Sequence, residues 1–115
     1  MAYDTVLAER IRDVLALEPE VSERKMFGGV CFMVGGNMAC GVLKNDLIVK
    51  FDPAEHDDAV TEPEVRPFDF SGRPMKGMVY VGPGATTSDD DLRRWVERGV
   101  AHARVRPEKQ PRRRK

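Results

Sequence analysis

The chain has 115 residues, 41% of them apolar, with 19 basic and 19 acidic side chains and a formal net charge of zero. That length supports one small domain with one core and excludes two ordinary domains. No stretch approaches the roughly 18 apolar residues of a membrane span, and the N-terminus MAYDTVLAERIRD is acidic and amphipathic where a signal peptide would be basic and then apolar, so a cytoplasmic location without membrane contact is expected. Cys31 and Cys40 would then be reduced thiols.

In chain order, Asp4 to Leu17 sets Leu7, Ile11, Val14 and Leu15 on one stripe, which predicts an amphipathic helix with Asp4 as its N-cap and Pro19 forbidding continuation. Glu18 to Glu23 reads as a short acidic connection. From Arg24 to Phe51 the pattern predicts three antiparallel strands: Met26 to Val34, Met38 to Leu43 and Leu47 to Phe51, interrupted by Gly35-Gly36-Asn37 and Lys44-Asn45-Asp46 at hairpin spacing. Gly28-Gly29 falls inside the first of these, and is read as a β-bulge or a close approach of the first helix, with a backbone surface open to a ligand as the functional alternative.

A two-residue turn at Gly35-Gly36 sets Met33 opposite Met38, Phe32 opposite Ala39 and Cys31 opposite Cys40. A disulfide is imaginable there, but a buried pair of small apolar thiols is favoured, and neither cysteine has the context of an activated nucleophile. Both faces of the first strand carry apolar residues: Phe27, Cys31 and Met33 on one, Met26, Val30, Phe32 and Val34 on the other. Helices would cover one face and a second copy of the chain the other, which makes a homodimer the expected assembly; a sheet covered by helices on both sides is the alternative.

Asp52-Pro53-Ala54-Glu55 opens a short helix ending by Thr61, with His56 beside Asp57 and Asp58 on a solvated surface; no metal site or cofactor is expected there. Val65 to Val81 reads as a second hairpin around Ser71-Gly72-Arg73-Pro74, its prolines Pro67 and Pro74 favouring an edge position or strand ends, and Gly77 admitting a bend or a close neighbour. Ser88, followed by three aspartates, caps a last helix whose buried stripe is Leu92, Trp95, Val96, Gly99 or Val100, and Ala103, with Arg93, Arg94, Glu97 and Arg98 turned away. From Arg104 onwards seven basic residues (Arg104, Arg106, Lys109, Arg112, Arg113, Arg114, Lys115) face the single acid Glu108, so the tail carries +6 and the rest of the chain −6. Such an arm binds nucleic acid without sequence specificity, or docks on an acidic face of its own domain or of a partner.

The fold expected is therefore α+β: an antiparallel sheet of about five strands, a three-strand meander plus a hairpin, packed with an N-terminal and a C-terminal helix over residues 1–105, with a basic tail at 106–115. The runs Arg24-Lys25-Met26-Phe27-Gly28-Gly29, Gly36-Asn37-Met38, Gly72-Arg73-Pro74-Met75-Lys76-Gly77, Val79-Tyr80-Val81, Asp91-Leu92 and Trp95-Val96 resemble the N-terminal domain of the TfoX/Sxy competence-regulator family over roughly Tyr3 to Ala103. The resemblance implies an α+β domain of bacterial cytoplasmic proteins associated with regulating DNA uptake and transformation, here as a copy in which a basic tail stands where full-length regulators carry a second, helical domain. It implies no catalytic residues. The function expected is thus a non-enzymatic regulatory or interaction module with an unidentified protein partner, using a surface of Arg24, Lys25, Gly28, Gly29, Arg73 and Lys76. The alternative is a nucleic-acid accessory protein acting through its tail. An enzyme joining the thiols to Lys76 or a histidine is the least favoured reading.

Overall fold

The computed structural model describes residues 3–26, 28–69, 72–73 and 75–106. The expectations placed on Phe27, Phe70, Ser71, Pro74, Lys109, Arg112, Arg113, Arg114 and Lys115 lie outside those residues. Helix α1 (Thr5–Val14) starts where expected, because Asp4 Oδ1 accepts from the otherwise unpaired backbone N–H groups of Val6 and Leu7, each at 3.0 Å. It buries Leu7, Ala8 and Ile11.

The first expected strand is in fact two. β1 (Val21–Met26) and β2 (Gly29–Val34) pair antiparallel, and Gly28, at φ +81°, lies in the turn between them. Gly29 is a close-approach position, as expected of this glycine pair, but the neighbour is β3 and not the helix: a Cβ on Gly29 would run into the carbonyl oxygen of Val42. The stretch read as an acidic connection therefore supplies the first half of β1, Val21 to Glu23. Its residues Ser22 to Lys25 are exposed, so it shows none of the apolar alternation by which a half-buried strand is recognised.

β3 (Asn37–Leu43) and β4 (Asp46–Lys50) continue the meander. The Gly35-Gly36 turn forms with φ values of +60° and +84°, and Met33 does face Met38. A register shift between Phe32 and Met33 then leaves Ala39 as an extra residue, so Phe32 faces Cys40 and Cys31 faces Gly41. The expected pairings of Cys31 with Cys40 and of Phe32 with Ala39 are thus both displaced by the bulge. The two thiols lie on successive-residue positions of the ladder, hence on opposite faces of the sheet, and both are free and buried.

Asp52 caps a 3-10 turn (Pro53–Glu55) that runs into α2 (His56–Ala59). β5 (Val65–Phe68) and β6 (Met75–Val81) form the second hairpin, which joins the same sheet. The described residues make one six-stranded antiparallel sheet in the order β1-β2-β3-β4-β6-β5, which leaves β1 and β5 as its edges. Helix α3 (Asp89–Val105) follows, with Ser88 Oγ accepting from the N–H of Asp91 at 3.1 Å. Its buried stripe is the expected one: Leu92, Trp95, Val96, Gly99, Val100 and Ala103.

Both long helices pack on one face of the sheet. Leu7, Ile11, Trp95 and Val96 join Val30, Phe32, Val34, Val49 and Val79 in a single cluster. The bulge serves this packing, since a Cβ at Gly99 would strike the carbonyl of Ala39; glycine lets α3 lie against the backbone displaced by the extra residue. Among the described residues the opposite face has a smaller cluster made of strand residues alone: Leu43, Ile48, Phe68 and Met78, bordered by Met38 and Tyr80. No helix among the described residues is long and apolar enough to cross a membrane.

Candidate interaction surface

Arg24 and Lys25 lie on the exposed middle of the edge strand β1, on alternate faces of the sheet. Glu23, their neighbour, is held by Arg12 of α1, whose Nε and Nη2 donate to its two carboxylate oxygens at 2.6 and 2.8 Å. That bidentate contact holds the Glu23 carboxyl below its ordinary range against the opposing effect of burial. No carboxylate among the described residues pairs with Arg24 or Lys25 within 4.0 Å. Many other basic side chains do have such a partner, as in Arg66–Asp46 at 2.7 Å and Arg98–Glu55 at 3.1 Å.

Gly28 and Gly29 sit at the Met26 end of β1, beside Arg24 and Lys25. Gly28 is exposed; Gly29 is buried against β3. The other two residues of the expected surface are elsewhere. Arg73 is in the β5–β6 connection and Lys76 on β6, four strand positions from β1, about 19 Å at ~4.8 Å per spacing. They also lie at the opposite end of the strands, for β6 begins where β1 begins, far from the β1–β2 turn. Lys76 Nζ is 3.5 Å from Asp57 Oδ1. The structure therefore brings Arg24, Lys25, Gly28 and Gly29 together and leaves Arg73 and Lys76 apart.

Of the basic arm, Arg104 is the last-turn residue of α3 that ties the helix to the loop after α1. Its guanidinium meets Glu18 at 3.0 Å and Glu20 at 3.2 Å and donates to the carbonyl of Pro19 at 2.8 Å. Arg106 follows as the helix cap, and with Glu20, Asn37 and Arg104 it lines a cavity of about 230 Å³.

Two residues differ from their sequence reading. His56 is buried, not solvated: its Nδ1 accepts the backbone N–H of Gly77 at 3.1 Å and its ring stacks on Phe51. A Cβ at Gly77 would lie 2.7 Å from the carbonyl oxygen of Phe51, which is the close neighbour expected of that glycine. The available signal was Ala59, an apolar residue three positions on and so on the same helix face. Arg98 is not turned away but half-covered, its guanidinium 4.6 Å from the Phe51 ring centroid and 5.1 Å from that of Trp95, while it also meets Glu55 and Glu62. Trp95, the expected core anchor, is fully buried, and its Nε1 has no hydrogen-bond partner among the described residues.

Burial pushes up the pKa of Cys31, with Arg24 opposing, and pushes up that of Cys40 more strongly, with the proximity of Cys31 adding to it. His102 is shifted down by burial and by Arg106 and Lys50, against Asp52 and Glu55. Among the described residues no three His, Cys, Asp or Glu side chains are grouped so as to hold a metal ion.

No curated protein and no solved structure matches the chain. The model of the TfoX N-terminal domain family does match, over residues 13–103, a span that takes in the end of α1, all six strands and most of α3. The chain belongs to the TfoX N-terminal domain family.

Proposed function

We propose that this chain is a regulatory interaction module, acting in competence for DNA transformation through protein contacts and not through catalysis, in the bacterial cytoplasm. The observation that carries this reading is the pair Arg24 and Lys25, two charges on an exposed strand that no carboxylate among the described residues pairs with, where Arg12, Arg98 and Arg104 each have such a partner. The family membership supports a competence-regulator-like role. The thiols support a non-catalytic one, since burial raises both and the thiolate is the nucleophile. The experiment is capture of partners by the purified chain and by its Arg24→Glu/Lys25→Glu variant, alongside transformation frequency in a competent host expressing each. The variant should fold, capture less and transform less; equal capture and equal transformation would overturn the reading.

Self-association through the sheet face remote from the helices belongs to the same reading. Met33, Met38 and Tyr80 stand half-exposed there around Ile48 and Met78. Sedimentation velocity should give a dimer that Met38→Glu converts to monomer, and a monomer at all concentrations would refute it. The nucleic-acid reading has less support from the described part of the tail, because Arg104 is anchored to Glu18 and Glu20. Salt-sensitive DNA binding that vanishes on ending the chain at Ala103 would favour it instead.

A further inference from the structure

The two edges of the sheet are built differently, and only one is blocked. β5 has four residues, carries Pro67, and shifts register between Pro67 and Phe68. β1 has six residues, no proline and an unbroken register from Val21↔Val34 to Met26↔Gly29. Its hydrogen-bonding phase follows from one contact. The N–H of Gly35 donates to the carbonyl of Glu20 at 3.1 Å, and residues 20 and 35 are directly opposite in the extended register. Pairs alternate along an antiparallel ladder, so residues 22, 24 and 26 bond to β2, while the backbone N–H and C=O groups of Val21, Glu23 and Lys25 point to the open side. Glu23 and Lys25 are exposed, and no described strand lies beyond them.

We propose that the open edge of β1 takes up an extended acidic segment of a partner protein as a seventh strand. This deepens the reading above, and names the chemistry of the partner that Arg24 and Lys25 would meet. Strand addition supplies backbone bonds to Glu23 and Lys25, and side chains on alternate faces supply selectivity. Arg24 projects on the face away from the helices and Lys25 on the helix face, so the fitting ligand carries two successive acidic residues, one for each. Glu23 does not repel them, because Arg12 already holds its carboxylate bidentately. A basic segment would meet two cations that no carboxylate among the described residues pairs with. A second copy fits less well: the in-register two-fold pairing that sets each Glu23 opposite a Lys25 also sets Arg24 against Arg24.

The test uses the full chain and a blocked, labelled nonapeptide with a central Glu-Glu pair flanked by alternating Thr and Val, with amide hydrogen exchange read by NMR and affinity read by fluorescence anisotropy. The peptide should bind, more weakly as salt is raised, and should slow exchange at the amides of Glu23 and Lys25 while those of Arg24 and Met26 stay protected throughout. Arg24→Glu/Lys25→Glu should weaken binding roughly ten-fold or more, and a Lys-Lys version of the peptide should not bind. A peptide N-methylated on the ladder side should also fail, which separates strand addition from simple charge attraction. No binding, binding without slowed exchange at Glu23 and Lys25, or binding indifferent to N-methylation would overturn the proposal. Concentration-dependent protection of those amides in the chain alone would overturn it in favour of a second copy on the edge. Should partner capture still depend on Arg24 and Lys25 when the peptide fails, the interaction-module reading stands and strand addition alone falls.

Discussion

β1 and β5 terminate the same sheet yet are held to it by different means. β5 is short and proline-bearing, and it is fixed by side chains: Phe68 is buried against Tyr80, with ring centroids 5.0 Å apart, and Arg66 bonds Asp46 at 2.7 Å while its guanidinium lies 4.8 Å from the Tyr80 ring centroid. β1 buries almost nothing, and is held by its backbone ladder to β2 and by the Arg12–Glu23 ion pair to α1. An edge fixed by apolar packing has little left to offer a partner. An edge fixed by its backbone keeps one side of its ladder open, and its charges are what prevent indiscriminate pairing.

The contrast can be broken most severely at Phe68. Phe68→Ala should destabilise the fold by about 3–4 kcal/mol in denaturant titration, because a ring that is 2% exposed leaves a cavity, whereas no truncation of an exposed β1 side chain should approach that figure. Gly29→Val is expected to cost about 2–3 kcal/mol by the same measurement, since the added carbons meet the Val42 carbonyl of a neighbouring strand that cannot yield. A wild-type midpoint for Phe68→Ala would show that β5 is not fixed as described, and one for Gly29→Val that β2 does not approach β3 as closely as described.

Smaller effects sharpen the comparison. Glu23→Gln should lower stability at neutral pH by about 0.5–1 kcal/mol, the range for a partly exposed pair. The sign with pH follows from the lowered folded-state value of Glu23: its contribution is present above the ordinary 4.5 and is lost as pH falls through the lower value. The variant's stability should therefore fall less steeply than that of the wild type on acidification below about pH 4.5, and parallel curves would remove the ion pair from the account of β1. Pro67→Thr should change stability by no more than about 0.5 kcal/mol, yet restore a ladder donor to β5. Concentration-dependent association of that variant by light scattering would show that proline, and not only brevity, closes this edge.

Much of this was legible in local chemistry. Asp4, Asp52 and Ser88 cap as their side chains dictate, the Gly35-Gly36 pair turns the chain, and the stripe from Leu92 to Ala103 faces the core, since each rests on residues within a few positions of one another. Pro67 pointed to an edge position or a strand end before any partner strand was known, and β5 is an edge. The TfoX signatures Arg24 to Gly29 and Gly72 to Gly77 were likewise readable, and they locate the family without locating a surface: Arg24 and Lys25 lie on the edge strand β1, and Lys76 on β6, four strand positions away.

Only the tertiary structure decided the rest, and in most cases because the determining partner is far along the chain. β1 has no apolar alternation to announce it, and exists as a strand because β2 offers a ladder and Arg12 a guanidinium. The cysteines are separated by one extra residue in β3, accommodated by Gly99 some sixty positions later. His56 is buried because the backbone of Gly77 comes to it, and Arg104 leaves the basic arm because Glu18 and Glu20 are within reach. Caps, turns and stripes are satisfied within a turn of helix or a hairpin, and so can be read from the sequence. Registers, edges and long-range ion pairs are settled by which distant backbone arrives alongside.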